Sequence, residues 1–383
     1  MQEFRYPVGI QSFEKLRRNG FIYVDKTALI YELTHSFTYH FLSRPRRFGK
    51  SLLISTLEAY FKGKRELFEG LAIATLEKEW LEYPVLHLDL SGANYFKPDS
   101  LENLLNESLV EWEQIYGTSV TGKDLETRFK SVIRLAKQKT GREVVLLVDE
   151  YEKPILDTIG DLEMQEKHRQ TLNGFYGVIK KCDPDLRFVF LTGVTKIGKL
   201  SVFSALNNLN ELAFSPRFAT LCGITEKELH HFFKQDIHEL AEYMHISDDE
   251  MSARLKKKYD GYHFVLNGEG VYNPFSLLKS FYNQNLLNYW FASGTPTFLA
   301  ELTKQQRFLL EDLYNCRRTI DQLSEIDSYQ RDAIPMFYQS GYLTIKGPED
   351  EFGKLLLGFP NEEVEHGMTD FFVPFYCKDR TTT

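Results

Sequence analysis

Short apolar runs alternate along the first half of the chain with longer stretches in which apolar residues recur every three or four positions. "YHFL" (Tyr39–Leu42) reads as a short strand, and "LLISTLEAYFKG" has helical spacing and stops at Gly63. "YPVLHLDLSG" (Tyr83–Gly92) reads as a second strand. "SLENLLNESLVEWEQIYG" and "DLETRFKSVIRLAKQKTG" are amphipathic helices, the latter closed by Gly141. Val144 to Val148 are continuously apolar, the pattern of a strand buried on both faces of a parallel sheet, and the run ends in Asp149-Glu150. "LRFVFLTGVTK" (Leu186–Lys196) repeats that pattern, and "NELAFSPRFATLCG" carries a fifth strand. Strands alternating with helices predict an α/β fold, a parallel sheet sandwiched by helices, over residues 1–224.

From Thr225 the pattern becomes helical. "TEKELHHFFKQDIHELAEYM" and "SDDEMSARLKKKYDGYHF" have helical spacing, Asn273-Pro274 is an N-cap and first-turn pair, and Thr295-Pro296 opens a similar segment. Residues 225–305 therefore read as a helical lid. In residues 306–383, a helix through "QRDAIPMFYQSG" leads to "YLTIK", the loop "GPEDEFG" and "KLLLGF". That is the helix–strand–turn–strand order of a winged-helix-like domain.

Composition changes this picture little. Of 383 residues, 43% are hydrophobic and 26% charged, as in ordinary globular proteins. No apolar run is long enough to span a bilayer, and "MQEFRYPVGI" lacks a signal-peptide layout. Cys182, Cys222, Cys316 and Cys377 are scattered, which argues against a zinc site or disulfide framework and fits a reducing cytoplasm. The net charge of −8 disfavours indiscriminate nucleic-acid binding. Residues 1–65 nevertheless carry twelve Lys/Arg against five Asp/Glu, a local balance of 12 − 5 = +7, which suits a triphosphate.

The candidate chemistry lies where strands end. "FLSRPRRFGKSLL" (Phe41–Leu53) finishes like the phosphate-binding pattern G-x-x-x-x-G-K-[ST], but Arg44 stands where the first glycine belongs. Gly49-Lys50-Ser51 falls between a strand and a helix, where unpaired N–H groups and the positive dipole end attract phosphate. Phosphoryl transfer also needs Mg²⁺ and an aligned water. Lys50 suits the β- and γ-phosphates, Ser51 and Asp149 suit the magnesium, and Glu150 suits the water. Thr192, at the next strand end, suits the γ-phosphate or the water, and Asp89 is a rival metal carboxylate. His230, His231 and His238 share a helix, but no nearby pattern completes a metal set.

"FIYVDKTALIYEL", "FLSRPRRFGKSLLISTL", "VVLLVDEYEKPI", "LTGVTKIGKLSVFSALNNLNEL", "YDGYHF", "VYNPFSLL", "YWFASGTPTFL" and "QSGYLTIK" with "LGFPNEEV" resemble the bacterial AAA-ATPase-like family, over nearly the whole chain. That family is often joined to a C-terminal PD-(D/E)xK nuclease domain. It is similar in turn to STAND-type and archaeal ATPases, whose loops read like G-P-R-R-x-G-K-T. The resemblance implies a P-loop NTPase using ATP and Mg²⁺. It assigns the loop contacts to Arg44, Pro45, Arg46, Arg47, Phe48, Gly49, Lys50, Ser51 and Leu52, with Arg44 or Arg47 adding charge near the phosphates. In "GFIYVDKTALIYEL", Asp25 caps the helix and Tyr23 and Val24 offer contact to the base, while Pro274 stands where STAND proteins carry a nucleotide-contacting Gly-x-Pro turn. The arginine sensor of STAND relatives has only Thr195 and Lys196 as counterparts. Glu-x-Lys, the core of most such nuclease sites, occurs nowhere, and the chain stops at "VPFYCKDRTTT", as a truncated or short member would.

Three functions compete: an ATP-driven switch, a poorly hydrolysing module that gates a partner protein or fused nuclease, and a winged-helix DNA binder. The last ranks low because Glu349, Asp350 and Glu351 on the apparent wing repel phosphates. A homo-oligomer is left open.

Overall fold

The computed structural model describes residues 6–118, 124–197, 209–293, 310–324, 326 and 332–378. Five parallel strands, β1 (Tyr39–Ser43), β2 (Val85–Asp89), β3 (Val144–Asp149), β4 (Leu186–Gly193) and β5 (Asn210–Glu211), form one sheet in the order β2-β3-β4-β1-β5. The continuous apolar runs form the central strands because both faces are covered. On β3, Val145 and Leu147 face one core while Val144, Leu146 and Val148 face the other. On β4, Phe188 and Phe190 oppose Val189 and Leu191 in the same way. Helices Ser100–Tyr116, Leu125–Thr140 and Leu162–Lys181 cover the second face. Helix Lys50–Phe61 and the N-terminal segment cover the first.

β4 ends at Gly193, where the apolar run is expected to end in Thr192-Gly193, and the fifth strand is only Asn210–Glu211, paired to His40 and Phe41 of β1. Polar pairing ends β4: Val194 and Thr195 donate their N–H groups to Glu152 rather than to a neighbouring strand.

Helices Glu226–Phe232, Lys234–Tyr243, Asp248–Tyr259 and Pro274–Asn283 pack around Leu229, Leu240, Met251, Tyr259 and Leu277. A full capping box at Thr225 and Glu228 starts the first, and the Asn273 side chain accepts from Ser276 N to start the last. The helix expected to open at Thr295-Pro296 lies outside the described residues.

Toward the C-terminus, Arg317–Arg318 pairs with Leu355–Gly358, which pairs antiparallel with Thr344–Glu349, after a helix at Ile334–Gln339. The first hairpin strand runs on through Gly347 to Glu349, into what the residue pattern assigns to the loop. Asp350 is a turn residue: its carboxylate accepts from Phe352 N and Lys354 N at 2.9 and 3.0 Å. Tyr262, Trp290, Phe337, Leu343 and Leu357 join the same core as Phe190 and Leu57, so the C-terminal residues pack directly on the sheet's first face.

One buried carboxyl sits in that packing. Glu363 is fully buried, and its Oε1 accepts from Ser276 Oγ at 3.0 Å and Trp290 N at 2.7 Å. Burial pushes it up to about 7 from the ordinary 4.5, against the pull of those donors and of Lys258. The group therefore contributes fully below about pH 4.5, and that contribution, about 3 kcal/mol, is lost as pH rises through 7. Glu363→Gln keeps the acceptor without the charge. Urea unfolding at pH 5 and 7.5 should show the variant gaining on the wild type by about 2–3 kcal/mol across that interval; parallel curves would contradict the assignment.

Candidate functional site

In a parallel sheet all strand C-termini lie along one edge, and here the register aligns them. Ser43 of β1 pairs with Gly193 of β4, and Asp89 of β2 with Asp149 of β3. The loop 44–49 therefore leaves β1 beside the ends of β3 and β4, and Arg44 N donates to Gly193 O at 3.1 Å. Two residues of the loop take left-handed backbone, Arg47 with φ 67° and Gly49 with φ 93°, and helix Lys50–Phe61 follows at once. Alternating right- and left-handed residues at a helix N-terminus turn successive N–H groups toward one concavity, an anion site.

Lys50 is almost wholly buried at 4% exposure. Its ammonium donates to Pro45 O at 3.3 Å and lies 3.7 Å from Glu150 Oε1. The Ser51 side chain stands near the Asp149 carboxylate and favours its charged form. Burial, then the charge of Glu150, raises Asp149 above the usual carboxylate range, with Ser51 and Lys50 opposing. Glu150 has φ 52°, and its N–H donates to Asp149 Oδ1 at 3.0 Å. A left-handed glutamate at the end of a strand is strained backbone, held by its neighbours. Lys50, Ser51, Asp149 and Glu150 are thus brought together. Asp89 ends the adjacent strand but is exposed, and its carboxylate accepts from Ser91 N.

The far side of the loop is apolar. A cavity of about 110 Å³ is lined by Tyr23, Val24, Phe48, Gly49, Leu52 and Pro274, among others. Two contacts fix its outer wall. Asp25 accepts from Thr27 N and Ala72 N, tying the N-terminal segment down, and Lys26 bonds Glu228 at 2.6 Å, reaching the lid helix Glu226–Phe232.

Two residues of the expected set spend their polar groups inside the fold. Arg44 is turned inward. Its guanidinium is buried at 1% exposure, donates to Ser43 O and Ala213 O, and stacks 4.0 Å over Phe264. Burial lowers it to about 10. Thr192 is likewise fully buried, and its hydroxyl donates to Leu42 O at 2.8 Å, so its proton is taken up by the sheet. Arg46 and Arg47 are exposed; Arg47 lies 4.9 Å over Phe275. Lys196, at the sensor position, bonds Glu211 at 2.7 Å. Thr195 is fully buried with its hydroxyl unpartnered.

Sequence reasoning missed Glu152. It is fully buried, and its Oε1 accepts from Val194 N at 2.6 Å and Thr195 N at 2.9 Å. Burial and then the charge of Glu150 raise it well above the ordinary carboxylate range. A Cβ at Gly193 would stand 1.8 Å from Glu152 Oε2, so the glycine is what admits the carboxyl. The only signal was a third acidic residue in "DEYEKP". Among the described residues no group of three His, Cys, Asp or Glu forms a metal cluster. Of the three histidines in residues 230–238, two contact nearby carboxylates and His231 is exposed.

Glu152→Ala strands two buried N–H groups, whereas Glu152→Gln retains an acceptor. Chemical unfolding should find the alanine variant about 2–4 kcal/mol less stable than the glutamine variant. Equal stabilities would mean that the clamp on Val194 and Thr195 contributes nothing.

Residues 7–203 match the family described as predicted AAA-ATPase. The chain is also 37% identical over 383 residues to an uncharacterized protein from the vnfD 5′ region of Azotobacter chroococcum mcd 1, covering 99% of this chain and 72% of that relative.

Proposed function

The chain belongs to the predicted AAA-ATPase-like family, and from that premise we propose that it binds ATP with Mg²⁺ at the loop 44–51 and hydrolyses it. The observation that carries this reading is the meeting of a buried Lys50, Ser51 beside the buried Asp149, and Glu150 at one helix N-terminus, next to an apolar cavity.

The residues fit both ligands. The N–H groups of the loop and the Lys50 ammonium bind phosphate oxygens, and Lys50 exchanges its weak bond to Pro45 O for them. Ser51 and Asp149 would hold Mg²⁺, which supplies charge neutralisation on the phosphates when bound. A buried Asp149 with a raised proton affinity is a group that a cation at Ser51 would ionise. Glu150 is less buried, at 24% side-chain exposure, and can meet a water. It orients that water and takes its proton as the oxygen attacks the γ-phosphorus. Tyr23, Val24 and Pro274 receive the base in the cavity, with Phe48 and Leu52 behind it. The lid 225–305 and the winged-helix-like segment 306–383 respond to the nucleotide state, making the ATPase a switch. The second reading, a module that binds but scarcely turns over, is favoured by the Lys50–Glu150 contact, which pairs the base with a cation.

Lys50→Ala should abolish ATP binding in calorimetry while leaving the melting temperature close to wild type. Unchanged affinity in the folded variant would remove the loop as the site. Phosphate release separates the two readings. Glu150→Gln should retain Mg²⁺-ATP and slow hydrolysis about 10²–10⁴-fold, while Asp149→Asn should weaken binding only when magnesium is present. Negligible wild-type release with intact binding would favour the non-hydrolysing module.

The base pocket has its own test. Tyr23→Ala should weaken ATP but not inorganic triphosphate, because only ATP carries a base. Equal weakening of both in a variant of normal thermal stability would place the base elsewhere.

A further inference from the structure

The four residues after Arg44 are not free to move as a bare glycine-rich turn would be. Each residue from Arg44 to Phe48 is held by a residue beyond position 260. Arg44 stacks on Phe264, and Pro45 packs on Gly341, where a Cβ would stand 2.6 Å from the proline ring. Arg46 O accepts from the Trp290 indole N–H at 2.9 Å, Arg47 lies over Phe275, and Phe48 meets Tyr262 edge-on with centroids 4.8 Å apart. We propose that Trp290 and Phe275 are positioning residues of the phosphate loop: they hold the Arg46–Arg47 peptide so that Arg47 keeps its left-handed conformation, and thereby set the affinity for nucleotide. This inference rests on the nucleotide reading above.

Arg47 has φ 67°, a conformation that costs any residue with a Cβ and needs support from its surroundings. Residues 44–49 lie between a strand and a helix, so regular backbone pairing supplies none of that support. The Trp290 indole supplies it at the Arg46 carbonyl, and Phe275 at the Arg47 guanidinium. Trp290 is itself fixed. It is 5% exposed, its backbone N–H donates to Glu363 and its ring packs 5.0 Å from Tyr342, so its indole N–H has one fixed direction. The peptide that follows Arg46 O carries the Arg47 N–H on its opposite side, so fixing the carbonyl fixes the donor. Arg44 belongs to the same arrangement: a glycine there would lose the carbonyl bonds and the stack that fasten the loop's first residue.

The test uses the full chain. ATP affinity is measured for wild type, Trp290→Phe, Arg47→Gly and the double variant, with hydrogen exchange of the amides of residues 46–49 in the free proteins. Phenylalanine keeps an aromatic ring in the core but has no N–H. Trp290→Phe should weaken ATP about tenfold when Arg47 is present. Combined with Arg47→Gly it should weaken ATP only about twofold or less, since glycine is left-handed without strain. Exchange at residues 46–49 should quicken in Trp290→Phe, a change that merely looser packing of residue 290 would not confine to the loop. Equal losses with and without Arg47→Gly, or no loss, overturn the proposal. If wild type binds no ATP, the nucleotide reading fails by itself, and the exchange data alone decide whether Trp290 holds the loop. Should Trp290→Phe not fold, Phe275→Leu carries the same measurements, with a smaller loss in the same direction and the same local quickening expected.

Discussion

A cation buried at 4% exposure must find negative partners or lose its charge, and Lys50 organises the site around that requirement. Its backbone is fixed as the first residue of helix Lys50–Phe61. Its partners are therefore a carbonyl of its own loop and the carboxylate of Glu150. Both are weak contacts at 3.3 and 3.7 Å, compared with about 2.8 Å for a good charged hydrogen bond. An anion with several oxygens would satisfy the ammonium better than either, which is the physical ground for proposing the loop as a phosphate site.

The acidic side of the site shows the complementary problem. Asp149, Glu150 and Glu152 are three carboxylates within four residues, two of them almost wholly buried. They do not share one fate. Asp149 sits beside Ser51 and is raised by burial, Glu150 is partly open, and Glu152 is turned inward onto Val194 and Thr195. The turn at residue 150 separates them: its left-handed φ sends Glu150 and Glu152 in different directions from the strand. One short acidic run thus provides a buried carboxylate beside Ser51, a partly exposed carboxylate beside Lys50 and a structural clamp on the next strand end.

Packing links these parts to the remote half of the chain. The core that covers helix Lys50–Phe61 also holds Tyr262, Trp290, Phe337 and Leu343, and Gln339 accepts from Lys196 N where β4 has ended. Dense packing of this kind leaves the loop few small displacements that do not also disturb the C-terminal residues.

The sequence by itself determined the parallel α/β sheet, because apolar runs such as Val144–Val148 have no other stable place than between two helical layers. It also determined the Gly-Lys-Ser loop and the Asp-Glu strand end, since local spacing alone puts them at the ends of strands. The Asn273-Pro274 helix start was legible for the same reason: capping is local. What the sequence could not determine was where a polar side chain spends its hydrogen bonds. Thr192 reads as a γ-phosphate contact and bonds Leu42, Arg44 reads as a phosphate ligand and stacks on Phe264, and Glu152 carries no local signal and is a buried clamp. Those outcomes, like the Trp290 bond to Arg46, depend on partners 42 to 244 positions away. Only the tertiary structure brings such partners together, because a hydrogen bond needs both groups at one point and no local pattern encodes the second.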